Sequence, residues 1–317
     1  RSSLIGKAGV ISKLTTFEGD TGTKVSLRRF LDYYSMTPKM IYTHKITVTG
    51  TVKNMSGNID QEMWKKLFRL SSVDSVSCLQ YLINHIETIG KLRGADITQK
   101  EWSFLKLAYA TFIDNCIPKN DEDILLTLKT YLNNNIEYIP EIIDVLQYNF
   151  EHVDFLEKNP GLPYENALYV YSTYTRAQAL ALLDYWKTSS EGVTRVKDKR
   201  ATCLFVTLNK GNSYYSPSTA YHDYSINEEL FHWQSQNATA SNTSVGQRYI
   251  HHEEQKEDIL LFVREQKDDS YGSVPFMFLG KAKYVSHQGD KPMSIVWKLE
   301  NKIPAKFIDV TDKLGIG

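Results

Sequence analysis

PFMFLGKAKYVSHQGDKPMSIVWKLE, residues 275–300, is the stretch that decides the fold. It holds two runs rich in aromatic and β-branched residues, separated by a Gly-Asp turn signal at Gly289–Asp290, which is the pattern of a β-hairpin. In the second run Met293, Ile295 and Trp297 alternate with polar residues, so they form the buried face of a strand. Working outward, ATCLFVTL (201–208) and ILLFVRE (259–265) are further short apolar runs bounded by turn residues. The helical pattern TRAQALALLDYW (175–186) is the one helix of this half that the periodicity marks. Together they predict a helix packed on a small curved β-sheet or barrel.

The N-terminal half has a different period. Leu27, Phe30, Leu31 and Tyr34, then Met63, Leu67 and Leu70, recur at three-to-four spacing. The same spacing continues through residues 75–92, 98–113, 122–132 and 139–156, with Asp, Ser or Thr at several starts as caps. This half is expected to be an all-α bundle or elongated arm, with no repeat of solenoid length. KNPGLPYEN (158–166) breaks the pattern with Pro160, Gly161 and Pro163. The fold class is therefore α+β, with a helical connector over 1–160 and a β-rich domain over 161–317. Two domains also suit a chain of 317 residues, longer than one hydrophobic core usually serves.

Composition narrows the functions open to the chain. It is 42% hydrophobic and 23% charged, with no apolar run long enough to span a membrane. Cys78, Cys116 and Cys203 are widely spaced, which fits neither a disulfide framework nor a zinc site and favours a reducing cytoplasm. A chain opening at Arg1 reads as a piece of a longer protein. Formal net charge is zero, so any grip on nucleic acid must come from local clusters such as Arg195–Arg200 or Lys281, Lys283 and Lys291. No GK[ST] phosphate loop, HxK pairing, GxSxG elbow or HExxH helix occurs. His251, His252, Glu253 and Glu254 are consecutive and cannot converge on one ion without an irregular loop, so a solvated turn is the expectation. Neither catalysis nor a cofactor or metal is expected in this chain.

The richest segment chemically is YHDYSINEELFHWQSQNAT (221–239), within a long polar stretch from Asn209 to Gly246. A base taken out of a duplex needs flat apolar walls and a polar group at its Watson–Crick edge, because unstacking costs a few kcal/mol. For cytosine, whose exocyclic amine donates, that group is a carboxylate. Asp223 fits the edge role, with Tyr221 or Tyr224 on one side and Trp233 on the other, and with Phe231 and Gln234 beside them. Each has a plainer reading: Trp233 as a core aromatic, Asp223 as a turn or cap residue. Ser235, Gln236 and Asn237 either bond the neighbouring backbone or contact DNA. Tyr214 and Tyr215 are surface loop residues or a wedge entering the duplex. Arg248 forms a strand-edge ion pair or a phosphate contact, and Lys281, Lys283 and Lys291 straddle the backbone in the DNA-binding reading. A methyl group contributes on the order of 0.8 kcal/mol on burial, so discrimination of modified from plain cytosine would rest on pocket fit.

The pattern Y-x-D-Y (221–224) followed by F-x-W-Q (231–234) resembles the pocket of the SRA family of 5-methylcytosine readers. Trp233 and Gln234 stand where that family has Tyr and Thr. Over most of the chain, FLDYYSMTPKMIY (30–42), FHWQSQNAT (231–239), ILLFVRE and residues 276–305 resemble the C-terminal region of helicase-linked type IV modification-dependent restriction enzymes. The resemblance implies an SRA- or PUA-like domain that flips 5-methylcytosine or 5-hydroxymethylcytosine out of double-stranded DNA. It also implies an ATP-dependent helicase-like motor and a metal-dependent nuclease upstream in the same protein, and a role in phage defence. The rivals are a PUA-like reader of RNA or single-stranded nucleic acid, and a structural module with the helical half as a homodimer arm.

Overall fold

A computed structural model describes residues 5–52, 59–188, 190–209 and 223–308. The chain divides into two compact units, one of Arg1–Leu156, Pro163–Ala167 and Ala177–Trp186, the other of Glu157–Leu162, Leu168–Arg176 and Lys187–Gly317. The division is interlaced rather than falling at one linker.

The first unit is helical, built from α1 (Lys7–Thr21), α2 (Leu27–Tyr34), α3 (Pro38–Tyr42), α4 (Val48–Val52), α5 (Met63–Leu70), α6 (Val76–His85), α7 (Gln99–Phe112), α8 (Asp121–Asn134) and α9 (Ile139–His152). The starts are set by side-chain caps. Ser26, Ser75 and Asn120 each accept a bond from a backbone N–H in the first turn, and Thr98 and Glu101 form a reciprocal capping box. α4 is capped from a distance: the buried Glu141 carboxylate accepts from the Val48 and Thr49 N–H groups at 2.9 Å each and from the Tyr42 hydroxyl at 3.1 Å. The pattern over residues 175–186 yields only a short α10 (Arg176–Ala181). The chain then turns, with Asp184 at φ 58°, and Asp184 meets Lys106 at 2.6 Å.

A polar network staples α5 to the end of α7. Asp114 receives Lys66 at 2.5 Å and Arg69 at 2.6 Å. Burial by itself would raise the Asp114 carboxyl, but the hydrogen bonds from Arg69 and Lys66 hold it down at about 2, below the ordinary aspartate value of 3.8. A depressed folded-state pKa means stability that is fully present above the unfolded value and lost as pH falls through the folded one. Asp114 keeps 27% of its side-chain surface exposed, so screening trims the contribution to about 1–2 kcal/mol. Asp114→Asn is expected to cost that amount at pH 7 and almost nothing near pH 2. Urea denaturation at both pH values measures the difference, and an equal loss at both would contradict the assignment.

In the second unit the strands are β1 (Thr173–Tyr174), β2 (Val193–Val196), β3 (Ala201–Asn209), β4 (Tyr224–Ser225), β5 (Leu230–Gln234), β6 (Asp258–Gln266), β7 (Phe276–Gln288) and β8 (Ser294–Leu299), with α11 (Ser244–Ile250) between β5 and β6. Among the described residues they form one mixed sheet in the order β2-β3-β6-β7-β8-β5-β4, with β1 added to β7. β3 and β6 run parallel and the other pairings are antiparallel. Among the described residues the sheet is open, with β2 and β4 at its ends, so the barrel alternative is replaced by a non-closed sheet. β7 is long enough to pair with β6 through its first half and β8 through its second. Its bulge lies opposite Leu261/Phe262, where Gly280 takes φ 91° and a Cβ would stand 2.6 Å from the Asn301 amide. Glycine is required there both by conformation and by space.

One face of this sheet holds a contiguous core. Leu204, Val206, Ile259, Leu261, Val263, Leu279, Phe231, Trp233, Ile295 and Trp297 pack there with Tyr249 from α11. Each fully buried large side chain contributes about 1.5–3 kcal/mol. The Met293, Ile295 and Trp297 alternation places all three at 0% exposure.

Candidate nucleic-acid interface

The segment 221–239 is part of the sheet. Leu230–Gln234 alternates half-buried and buried residues, and β5 pairs β8 on one side and β4 on the other. Two faces follow. Phe231 and Trp233 point into the core at 0% and 4% exposure, with Trp233 edge-on to Tyr249 at 5.4 Å and tilted on Trp297 at 6.3 Å. Neither can form the wall of a base sandwich, because inserting a base would empty the core of its rings. Asp223 is buried too, and its Oδ1 accepts the Gln234 N–H at 2.9 Å, bracing β4 against β5. That bond is the turn-and-brace role for Asp223, and its low exposure sets the carboxylate back from solvent.

The opposite face carries Tyr224 and His232. They are directly registered partners across β4 and β5, both half-buried. Their rings are stacked, with centroids 4.5 Å apart and planes 15° from parallel. Directly opposite side chains on adjacent strands lie close enough to stack in this way. Across from His232 on β8 lies Val296, and one pleat along are Gln234 opposite Ser294 and Ser294 opposite Gln288. In the other direction Leu230, Lys298 and Lys283 form a row. Lys283 and Lys298 are exposed, and each lies near an exposed glutamate, Glu253 at 3.4 Å and Glu229 at 3.7 Å.

Of the other DNA-contact candidates, Ser235 is fully buried, accepting the Met293 N–H at 2.9 Å, so it is a backbone brace and no DNA contact. Gln236 is exposed, though its Oε1 accepts the Tyr249 hydroxyl at 3.1 Å, and Asn237 is exposed beside it. Lys291 is exposed, and its backbone N–H bonds the Thr239 carbonyl, tying the two loops together. In the same loop pair the Asp290 carboxylate lies below its ordinary range, chiefly through the Ser241 N–H that it accepts. Arg248 and Lys281 are spoken for. Arg248 lies 3.4 Å from the buried Glu257, and Lys281 donates to the Gly161 carbonyl at 3.2 Å near Asp258 and Glu300. Both leave the phosphate-contact set as neutralised, inward-directed cations. Tyr214, Tyr215 and Tyr221 lie outside the described residues. His232 was absent from the sequence-based candidates. The signal for it was period two: if Phe231 and Trp233 are a strand's buried face, the residue between them is on the open one.

Both nitrogens of His252 are engaged, Nδ1 with the Glu257 carbonyl at 2.9 Å and Nε2 with the Tyr284 N–H at 3.1 Å. The ring is thus a neutral tautomer with its proton on Nδ1. His251 pairs with Glu254 at 3.2 Å. Among the described residues no group of three His, Cys, Asp or Glu could hold a metal ion, and no helix is long and apolar enough to cross a membrane.

A mixed sheet with a stacked, half-buried aromatic pair across two of its strands is the class of structure defined here. Residues 168–310, which contain every strand of that sheet, match the family model described as "Domain of unknown function (DUF3427)". No curated protein matches the chain. Among solved structures it is similar to that of Arabidopsis thaliana SUVH6 in complex with SAM, at 13% identity and a TM-score of 0.33, over 77% of this chain and 42% of that one. The chain thus spans less than half the length of that protein's chain.

Proposed function

We propose that the β-rich unit is a nucleic-acid-recognition module. The observation that carries this reading is the half-buried Tyr224–His232 stack across β4 and β5. A half-buried, stacked ring pair on β4 and β5 suits stacking with a base, worth about 1–3 kcal/mol per base. Lys283 and Lys298 lie one pleat away for the backbone, and Gln234 and Ser294 offer amide and hydroxyl groups for base edges.

The finer reading, which follows the resemblance, is recognition of modified cytosine in DNA as the target-recognition end of a modification-dependent restriction enzyme. ATPase and nuclease chemistry, with ATP and a divalent metal, would then belong to other parts of a larger protein, and this chain would be non-catalytic. In this reading the stacking wall is Tyr224–His232 rather than Trp233, and Gln234 replaces Asp223 at the base edge.

Fluorescence anisotropy with methylated and unmodified DNA tests both levels. Tyr224→Ala and His232→Ala are each expected to weaken binding by about 1–2 kcal/mol, roughly 5- to 30-fold. Because the neighbouring lysines are shared with glutamates, the salt dependence is expected to be shallow. Equal affinity for methylated and unmodified DNA would remove the cytosine reading. Binding untouched by either substitution would remove the site.

A further inference from the structure

We infer that the cavity bounded by α2, α6 and α9 is a docking site for a peptide segment that presents an arginine side chain. The site lies wholly within the helical unit and is independent of the ring pair on the sheet. Both α2 and α6 pack against α9, and the three helices enclose a cavity of about 530 Å³, within the size range of ligand pockets. Asp144, Gln147 and Glu151 stand at three-to-four spacing on α9 and so share a face. Gln80 and Ile83 line it from α6, and Arg28 and Asp32 from α2. Each of these side chains is half-buried or exposed, so none is spent on the packed interior.

The charges select the occupant. The carboxylates of Asp32, Asp144 and Glu151 share the lining with the guanidinium groups of Arg28 and Arg29, so the sum is negative. Arg28 is committed to Glu151 by a fork of contacts at 3.0 and 2.8 Å, and Arg29 donates to the Lys24 carbonyl at 3.5 Å. The N-terminus of α2 is already satisfied, by the Ser26 side chain at the Arg29 N–H and by Asp144 Oδ2 at the Arg28 N–H, 3.1 Å away. An anion therefore finds neither an open helix end nor a favourable field. A cation does better. Burial raises the Asp144 carboxyl above its ordinary range despite the bond it accepts, and a positive group beside it offsets that desolvation. A carboxylate also has lone pairs beyond those the backbone uses. Arginine suits the place better than lysine, because its flat fork pairs a carboxylate through two bonds while its plane stacks on a ring such as Phe150. Ile83 and Phe150 then take the apolar neighbours of the arginine, and the Gln80 and Gln147 amides bond its main chain.

The test uses the full chain and a fluorescein-labelled peptide, acetyl-Leu-Arg-Leu-Leu-Arg-Leu-amide, with counterparts in which both arginines are citrulline, lysine or glutamate. Citrulline keeps the shape of arginine and loses its charge. By fluorescence anisotropy the arginine peptide is expected to bind about tenfold more tightly than the citrulline and glutamate peptides, with lysine between them. Asp32→Asn and Asp144→Asn, the second of which keeps an acceptor for the α2 N–H, should each weaken the arginine peptide by about fivefold, and Phe150→Leu by a similar factor. Circular dichroism confirms that each variant is folded. ATP, added as a competing anion with a flat base, should leave the peptide in place. A citrulline peptide bound as tightly as the arginine one overturns the inference. So does an arginine peptide indifferent to both aspartate substitutions, displacement by ATP, or no binding of any peptide. None of these results touches the Tyr224–His232 site, whose own test uses nucleic acid.

Discussion

Replacing Glu257 by alanine is expected to cost the β-rich unit about 3 kcal/mol. Glu257 has 3% of its side chain exposed and is ringed by donors from three other elements. Arg195 of β2 donates Nε at 3.1 Å and Nη2 at 2.6 Å, Thr202 of β3 donates its hydroxyl, and Arg248 of α11 lies at 3.4 Å. Removing the carboxylate strands Thr202, at 0% exposure, without its acceptor and leaves Arg248, with 14% of its side chain exposed, without its counter-charge. Arg195 is 38% exposed and can turn to water, which is why the figure sits at the low end for a broken buried pair. Glu257→Gln keeps the volume and one acceptor and should recover about half. Thermal denaturation, read with hydrogen exchange of the β3 and β6 amides, measures it; a loss under about 1 kcal/mol would mean that water enters and replaces the carboxylate.

Gly246→Ala should be nearly as damaging, with a sign opposite to the usual one. In a helix interior alanine is ordinarily better than glycine by about 1 kcal/mol. Here a Cβ would stand 2.0 Å from the Ala240 carbonyl oxygen, 2.8 Å from its carbon and 3.0 Å from the Met293 sulfur. The carbonyl cannot withdraw easily, because it accepts both the Thr243 N–H at 3.0 Å and the Thr243 hydroxyl at 2.7 Å, the bonds that shape the turn into α11. α11 must therefore lift, and Tyr249, at 0% exposure against Trp233 and Trp297, lifts with it. Overpacking of this kind costs about 2–3 kcal/mol. The near-ultraviolet signal of the two tryptophans should weaken together with the midpoint of urea unfolding. A variant as stable as the parent would mean that the 240–246 turn has slack the geometry does not show.

These two sites show where sequence reading reached and where it stopped. The helices of the first half were legible because their apolar spacing and their caps at Ser26, Ser75, Thr98 and Asn120 are local features, as was the hairpin of β7 and β8. Segment 221–239 misled for a physical reason. The polar residues beside Trp233 include the half-buried His232 and Gln234 on the other face of its own strand, and the short run Leu230–Gln234 shows its alternation only once it is known to be a strand. Arg248 and Lys281 carry charge that in a sequence looks available for phosphate, yet folding brings Glu257 to one and Asp258 and Glu300 to the other.

What the sequence by itself determined is the α+β division, the helical first half, the apolar strands of the second, and the absence of several familiar phosphate and nucleophile motifs, because each depends on residues within a few positions of one another. Only the tertiary structure decided that β4 and β5 extend the sheet beyond β8, and so which rings are core and which are half-buried on the other face. Strand order is set by pairings between residues far apart in the chain, such as Trp233 with Ile295 and Phe231 with Trp297. No local pattern contains that information, because the free energy that fixes it comes from burying both partners at once.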